Sequence, residues 1–274
     1  MARTISFEVP VDTSLFTPQQ LQPRAALALA MQGFARWAKE YLVSFPRMIR
    51  EFGVGLVVAR LQVDYRAALG FFDAETLQFT TGFRLVNKGT FIEGVASCSG
   101  GGAPAVEFKG MMRPVLLGEA ETLAARPGRL PTALQERFLP DEIISEPPAQ
   151  SLRVLSRHLM EHERPLAEGR YPFVVHRHAC EVADQWSFIE IPGHVGASRE
   201  SLIMSQGASF AGVRPRLSSP LQSLTLELRR PYFLLDEGAV LTQAFLHEGQ
   251  LLFLHRLCSG SGNENLHGIV LERY

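Results

Sequence analysis

The chain has 274 residues, 46% of them hydrophobic, long enough for one large core or for two domains of about 110–130 residues. Lys plus Arg total 27 and Asp plus Glu total 28, a balance that favours neither nucleic acid nor an anionic membrane surface as partner. Cys98, Cys180 and Cys258 are odd in number and lack a CxxC spacing, which argues against a zinc site and a disulfide framework and for a reducing compartment. Met1-Ala2-Arg3-Thr4 opens no apolar signal-peptide core, and no apolar run approaches the roughly 18 residues of a membrane span; a soluble cytoplasmic protein is expected.

Residues 4–11 alternate apolar and polar and predict a strand. Asp12 to Pro18 reads as a loop. A helix is predicted from Pro23, with Leu27, Ala30, Met31, Phe34, Trp37, Ala38 and Tyr41 on one face. Pro46 interrupts it, and a shorter amphipathic piece (Met48, Ile49, Phe52) ends at Gly53. Strict alternation over Val57–Arg66 then predicts a strand, followed by strands at Ala74–Leu85, Thr90–Ser99 and Val106–Leu116. Asn87-Lys88-Gly89 and Ser99-Gly100-Gly101-Gly102 supply the turns. Residues 119–165 read as a structured connector of short helical pieces, with breaks at Arg126-Pro127-Gly128 and Glu146-Pro147-Pro148 and a helix carrying Leu152, Leu155 and Leu159. A second strand is predicted at Tyr171–Glu181, then a loop to Gly196, a helix from Ser198, and strands at Leu221–Arg229, Gly238–Leu246, Gln250–Leu257 and Leu266–Tyr274.

This order of elements occurs twice, and so do individual residues. Leu61, Val63, Tyr65, Arg66 and Asp73 fall on Leu224, Leu226, Leu228, Arg229 and Asp236, each 163 positions later. Gly89 and Cys98-Ser99-Gly100 fall on Gly249 and Cys258-Ser259-Gly260, now 160 positions later. One constant offset, a three-residue deletion and a second constant offset are the pattern of a diverged duplication.

Strand, loop, long helix and a meander that wraps the helix is the hot-dog arrangement. The stretch VVARLQVDYRAALGFFD (Val57–Asp73) resembles the signature strand and turn of the 4-hydroxybenzoyl-CoA thioesterase-like family, and LTLELRRPYFLLD (Leu224–Asp236) resembles it again. The resemblance implies an α+β tandem, or double, hot-dog: residues 1–118 as the first copy, 119–165 as a helical connector and 166–274 as the second copy. The two copies would pack as a pseudo-dimer within one chain, with a further homodimer left open. The function implied is hydrolysis of an acyl thioester carried by coenzyme A or by the phosphopantetheine of an acyl carrier protein. A dehydratase or acyltransferase of polyketide or fatty-acid assembly, and a non-catalytic acyl-thioester-binding module, are the alternatives. No cofactor is implied.

Thioester hydrolysis needs a carboxylate to act as base or nucleophile, and hydrogen-bond donors for the carbonyl oxygen, often at a helix N-terminus. In the resembled family an Asp stands between the first strand and the long helix, the place of Asp12 here. The family's following Gly-His-Val-Asn-Asn is absent after Asp12. In the second copy Asp184 follows the strand, and Gly193-His194-Val195 resembles that wording nine positions on, with Glu190 between. Asp12, Asp184, Glu190 and His194 are therefore the candidate catalytic residues. Arg66, Arg229 and Arg230, at the ends of the matched strands, are candidates for the phosphates of coenzyme A or phosphopantetheine, against an ion pair with Asp73 or Asp236. His176 and His178, two apart on the predicted strand, lack a third partner for a metal. Cys98 and Cys258 lack a His partner, and the Gly runs after them lack the Lys and Ser/Thr of a phosphate loop. The small residues Ala26, Ala30 and Gly33 either leave room for an acyl chain or let the helix lie close on the sheet.

Overall fold

The computed structural model describes residues 2–117, 125–145, 152–182, 184–260, 262 and 265–274. The expected break at Glu146-Pro147-Pro148, and Ala183 and Ser261 of two expected loops, lie outside the described residues. The chain divides into two compact units, Met1–Ala149 and Gln150–Tyr274.

The first unit runs β1 (Ile5–Pro10), α1 (Pro23–Trp37), a π turn over Ala38–Leu42, α2 (Phe45–Phe52), β2 (Val54–Tyr65), β3 (Thr76–Val86), β4 (Phe91–Ser99), β5 (Val106–Leu117), β6 (Ala125–Pro127), α3 (Thr132–Gln135) and β7 (Ile143–Ile144). Its main sheet has the order β1-β3-β4-β5-β2, antiparallel throughout. Pro23 occupies the first turn of α1, where its missing N–H costs nothing. The predicted apolar stripe is the face that packs on β1, β3 and β4. Phe34 and Trp37 each set a ring 5.1 Å from Phe83. At Gly33 an added Cβ would stand 2.4 Å from the Thr81 methyl and 2.9 Å from the Phe7 ring. Close helix-to-sheet packing therefore explains this small residue; it does not open room for an acyl chain. Gly53 ends α2 in the left-handed region, φ 64°, as glycine does without strain.

The second unit runs α4 (Leu152–His162), β8 (Ala167–Val174), α5 (Ile191–Ser205), α6 (Arg214–Leu217), β9 (Ser223–Leu228), β10 (Glu237–His247), β11 (Gln250–Ser259) and β12 (Asn265–Arg273). Its sheet, β8-β10-β11-β12-β9, repeats the strand order of the first unit. α5 packs on β8 and β10 as α1 packs on β1 and β3. The described part of the expected connector divides between the units. Residues 125–145 close on the first: β6 pairs β5, β7 pairs β3, and buried Glu142 accepts three bonds from Arg3. Helix α4 belongs to the second, where Leu152 and Leu159 enter a cluster with Phe245, Leu252, Leu254, Ile269 and Leu271.

The duplication extends to individual hydrogen bonds. Asp73 accepts from the N–H of Gly70 at 2.7 Å, and Asp236 from that of Phe233 at 2.8 Å. These carboxylates stabilise matching turns; Arg66 instead pairs with Glu107 at 2.7 Å. The N–H groups of Arg66 and Ala67 donate to Ala105 O, and those of Arg229 and Arg230 to His267 O. Ala105 and His267 are thus counterparts.

Two expectations fail in the second unit. The strand predicted to Glu181 ends at Val174, because the chain turns away from β10 and His176 leads into a 3-10 turn, Arg177–Ala179. His176 and His178 stack at 6.0 Å on that turn and share no strand face. The helix expected from Ser198 begins at Ile191. Gly193 and Gly196 weaken its helical pattern, but Pro192 suits its first turn.

Candidate active site

The loop between first strand and long helix is built alike in both units. Asp12 precedes a 3-10 turn, Thr13–Leu15; His176 precedes the 3-10 turn Arg177–Ala179. The N–H of Leu21 then donates to Leu69 O, and that of Trp186 to Tyr232 O. The positional counterpart of Asp12 is therefore His176, and Asp184 sits in a later part of the loop, between the bridge partners Cys180 and Trp186.

In the first unit Asp12 is exposed. Its carboxylate accepts from Ser14 N at 2.7 Å and Ser14 Oγ at 2.5 Å. The Ser14 hydroxyl and then its N–H hold the Asp12 carboxyl below the usual carboxylate range. A carboxylate so engaged is a turn cap and a weakened base. No His stands near it in the loop, and the face of α1 one turn before Gly33 carries Leu29, which is buried.

The second unit places His194 on α5 one turn before Ser198. Ser198 bonds Thr242, the sixth residue of β10, and Gly33 abuts Thr81, the sixth residue of β3. His194 thus holds the place of Leu29. Its ring lies 5.2 Å from Phe173 and 5.0 Å from Trp186, with Tyr232 5.3 and 5.5 Å from those two rings. Burial lowers the His194 pKa, the charge of Glu190 opposes that shift, and His178 adds to it. The ring is therefore neutral at pH 7, with a lone pair available. Trp186 is buried with its indole N–H unpartnered among the described residues. An imidazole base, a hydrogen-bond donor and the first turn of a 15-residue helix meet here.

Asp184 is exposed, in the left-handed region at φ 51°, and pairs with Arg177 at 3.2 Å. Glu190 ends a 3-10 turn against the start of α5. The structure thus brings His194 and Glu190 together and leaves Asp12 and Asp184 at other points of their loops. Arg229 and Arg230 are exposed at the end of β9. Burial pushes the Cys98 thiol up to about 12 and raises Cys258, so neither is a ready thiolate.

Sequence reasoning missed the polar core beneath α5. Ser198 Oγ and Thr242 Oγ1 are 2.6 Å apart, Thr242 Oγ1 and His255 Nδ1 2.8 Å, and His255 Nε2 and Glu272 Oε2 3.2 Å. Arg199 closes the chain with two bonds to Glu272, at 2.6 and 2.7 Å. Burial alone would raise the Glu272 carboxyl; Arg199 and His255 outweigh it and hold it at about 2. The signal was present as His255 and Glu272, each directly after an apolar run, Leu251–Leu254 and Ile269–Leu271.

Solved structures share this architecture over almost the whole chain. A Lactobacillus plantarum protein, provisionally described as an oleoyl thioesterase, has TM-score 0.75 at 11% identity, covering 99% of this chain and 96% of its own. The 12:0-ACP thioesterase of Umbellularia californica has TM-score 0.66 at 11% identity, covering 98% and 96%. An acyl-ACP thioesterase of Bacteroides thetaiotaomicron has TM-score 0.65 at 7% identity, covering 98% and 96%. No family model matches the chain, and no curated protein matches it significantly. The fold is the double hot-dog found in these thioesterases, and no helix among the described residues is long and apolar enough to cross a membrane.

Proposed function

We propose that the protein hydrolyses acyl thioesters carried by coenzyme A or by carrier-protein phosphopantetheine, and that the chemistry belongs to the second copy. The observation that carries this reading is His194, a neutral imidazole at the first turn of α5 where the first copy has Leu29. In this reading His194 takes a proton from the attacking water, Glu190 favours the imidazolium that forms, and the Trp186 indole N–H with the helix N-terminus receives the developing oxyanion. Asp184 and Arg177 lie on the approach. Arg229 and Arg230 meet the phosphates, whereas Arg66 is committed to Glu107. The whole-chain likeness to acyl-ACP thioesterases supports the substrate class. The first copy, with Asp12 tied to Ser14, acts in binding.

The test is free-thiol release from a panel of acyl-CoAs and an acyl-pantetheine thioester. His194→Ala should lower kcat by about 100-fold or more, the usual contribution of a general base. Binding without release by the wild-type protein would favour the non-catalytic module instead.

A further inference from the structure

A second nucleophile–base pair lies outside the helix N-terminus. Ser259 Oγ is 2.8 Å from His267 Nε2, and His267 Nδ1 is 3.1 Å from the carbonyl oxygen of Pro231. A carbonyl only accepts, so Nδ1 carries the proton. Nε2 then presents its lone pair, and the Ser259 hydroxyl donates to it. A hydroxyl, an imidazole acting on it and a third group fixing the imidazole tautomer form the arrangement that activates a serine.

The backbone produces this pairing by an irregularity confined to the second copy. In the β11–β12 ladder Leu257 pairs with Gly268 and Cys258 with Leu266, which leaves His267 as an extra residue. Such a bulge re-aims a side chain. The His267 carbonyl takes the N–H groups of Arg229 and Arg230, and its ring stacks on Tyr232 at 3.7 Å, so both ends of the residue are held. In the first copy Ser99 stands across from Gln78 as Cys258 stands across from Ala239, so Gly100 takes the place of Ser259 and Ala105 that of His267, and the first copy has neither this serine nor its base. Ser259 is partly exposed, whereas His267 is 8% exposed. Burial lowers the His267 pKa against the bond to Pro231, which keeps the ring neutral at pH 7.

We infer that Ser259 is a nucleophile that accepts acyl groups from activated esters and thioesters, with His267 as its base. Ser259 Oγ attacks the carbonyl carbon while its proton moves to His267 Nε2. The C–O bond forms, the C–S bond breaks, and the proton leaves with the sulfur as a thiol. Water then attacks the acyl-serine through the same base, giving a carboxylic acid and restoring the Ser259 hydroxyl. This step needs neither His194 nor Glu190 and stands apart from the role proposed for them.

An alkyl fluorophosphonate is the probe. Ser259 Oγ–P formation expels fluoride, and the serine proton passes to His267. Peptide mass mapping of the intact wild-type protein should find the adduct on Ser259 and none on Ser99. Labelling should fall on acidification, with a midpoint below the ordinary His pKa. His267→Gln should slow it by about 100-fold or more, the scale of general-base assistance, and Ser259→Ala should abolish it. An unlabelled Ser259 in the wild-type protein overturns the inference, and so does equal labelling in folded His267→Gln. The wild-type adduct and its pH profile decide the matter even if that variant fails to fold. Thiol release from acyl-CoAs separates the two readings: release lost in His194→Ala and kept in Ser259→Ala overturns acyl transfer to Ser259 and leaves the thioesterase reading standing, whereas release lost in Ser259→Ala and kept in His194→Ala does the reverse.

Discussion

The two copies share strand order, loop geometry and turn caps, yet they fill the space beneath the long helix in opposite ways. In the first, Gly33 of α1 faces Thr81, whose cross-strand neighbour is Ala96, and the Phe34 ring lies over Gly94. In the second, Ser198 and Arg199 of α5 face Thr242, His255 and Glu272. Glu272 pairs with Phe253 as Gly110 pairs with Gly94. One core is aromatic and closely packed; the other is a chain of charged and polar groups, with Ser198, Thr242, His255 and Glu272 each no more than 3% exposed. The fold accepts both because close contact fills the space in one copy and hydrogen bonds and ion pairing hold the polar chain in the other. The same divergence places His194 opposite Leu29 and His267 opposite Ala105, so the titratable chemistry collects in the second copy.

The largest test of this contrast is at Glu272. Glu272→Gln leaves the partly buried Arg199 with only the exposed Glu200, 3.5 Å away, as its acidic partner and should cost about 3 kcal/mol by chemical denaturation. Its counterpart Gly110→Ala should be near neutral, since an added Cβ meets Leu61 at an ordinary 3.5 Å. The pH dependence follows from the same carboxylate. Its folded pKa, about 2, lies below the ordinary carboxyl value of 4.5, so its stabilisation is complete above the unfolded pKa. That stabilisation declines as pH falls from about 4.5 towards about 2, and an acid titration of wild type against Glu272→Gln should converge over that window.

The next pair exchanges close packing for hydrogen bonding. Gly33→Ala drives a methyl into Thr81 and should cost about 1–3 kcal/mol through overpacking. Thr242→Val strands Ser198 and His255 and should cost about 1–3 kcal/mol, each read as a shift in denaturation midpoint. The matched Thr81→Val should be neutral or slightly stabilising, because the buried Thr81 hydroxyl has no partner among the described residues. The smallest effect is expected at Asp12: Asp12→Ala should leave thiol release unchanged, and a loss of turnover there would move the chemistry back to the first copy.

Much of the architecture was legible in the chain. Period-two alternation marked β2, apolar spacing marked the buried face of α1, and the repeated Leu61–Asp73 and Leu224–Asp236 revealed the duplication. Local signals failed where two tendencies competed. Val175 and the spaced pair His176 and His178 extended the expected strand past the true end of β8, and Gly193 and Gly196 hid the first turn of α5. His194 was readable as a candidate; its aromatic surroundings were not, since Phe173, Trp186 and Tyr232 come from three separate segments.

The opening repeat shows what the residues alone determined: two hot-dog copies, because side-chain periodicity and turn residues are local properties written into each element. Only the tertiary structure decided how the copies differ. Whether His267 meets Ser259 depends on one bulged residue in a ladder, and whether Glu272 is charged depends on Arg199 arriving from the helix above it. The first is set by register within one hairpin and the second by packing between residues 73 apart in the chain, and no side-chain periodicity reports on either.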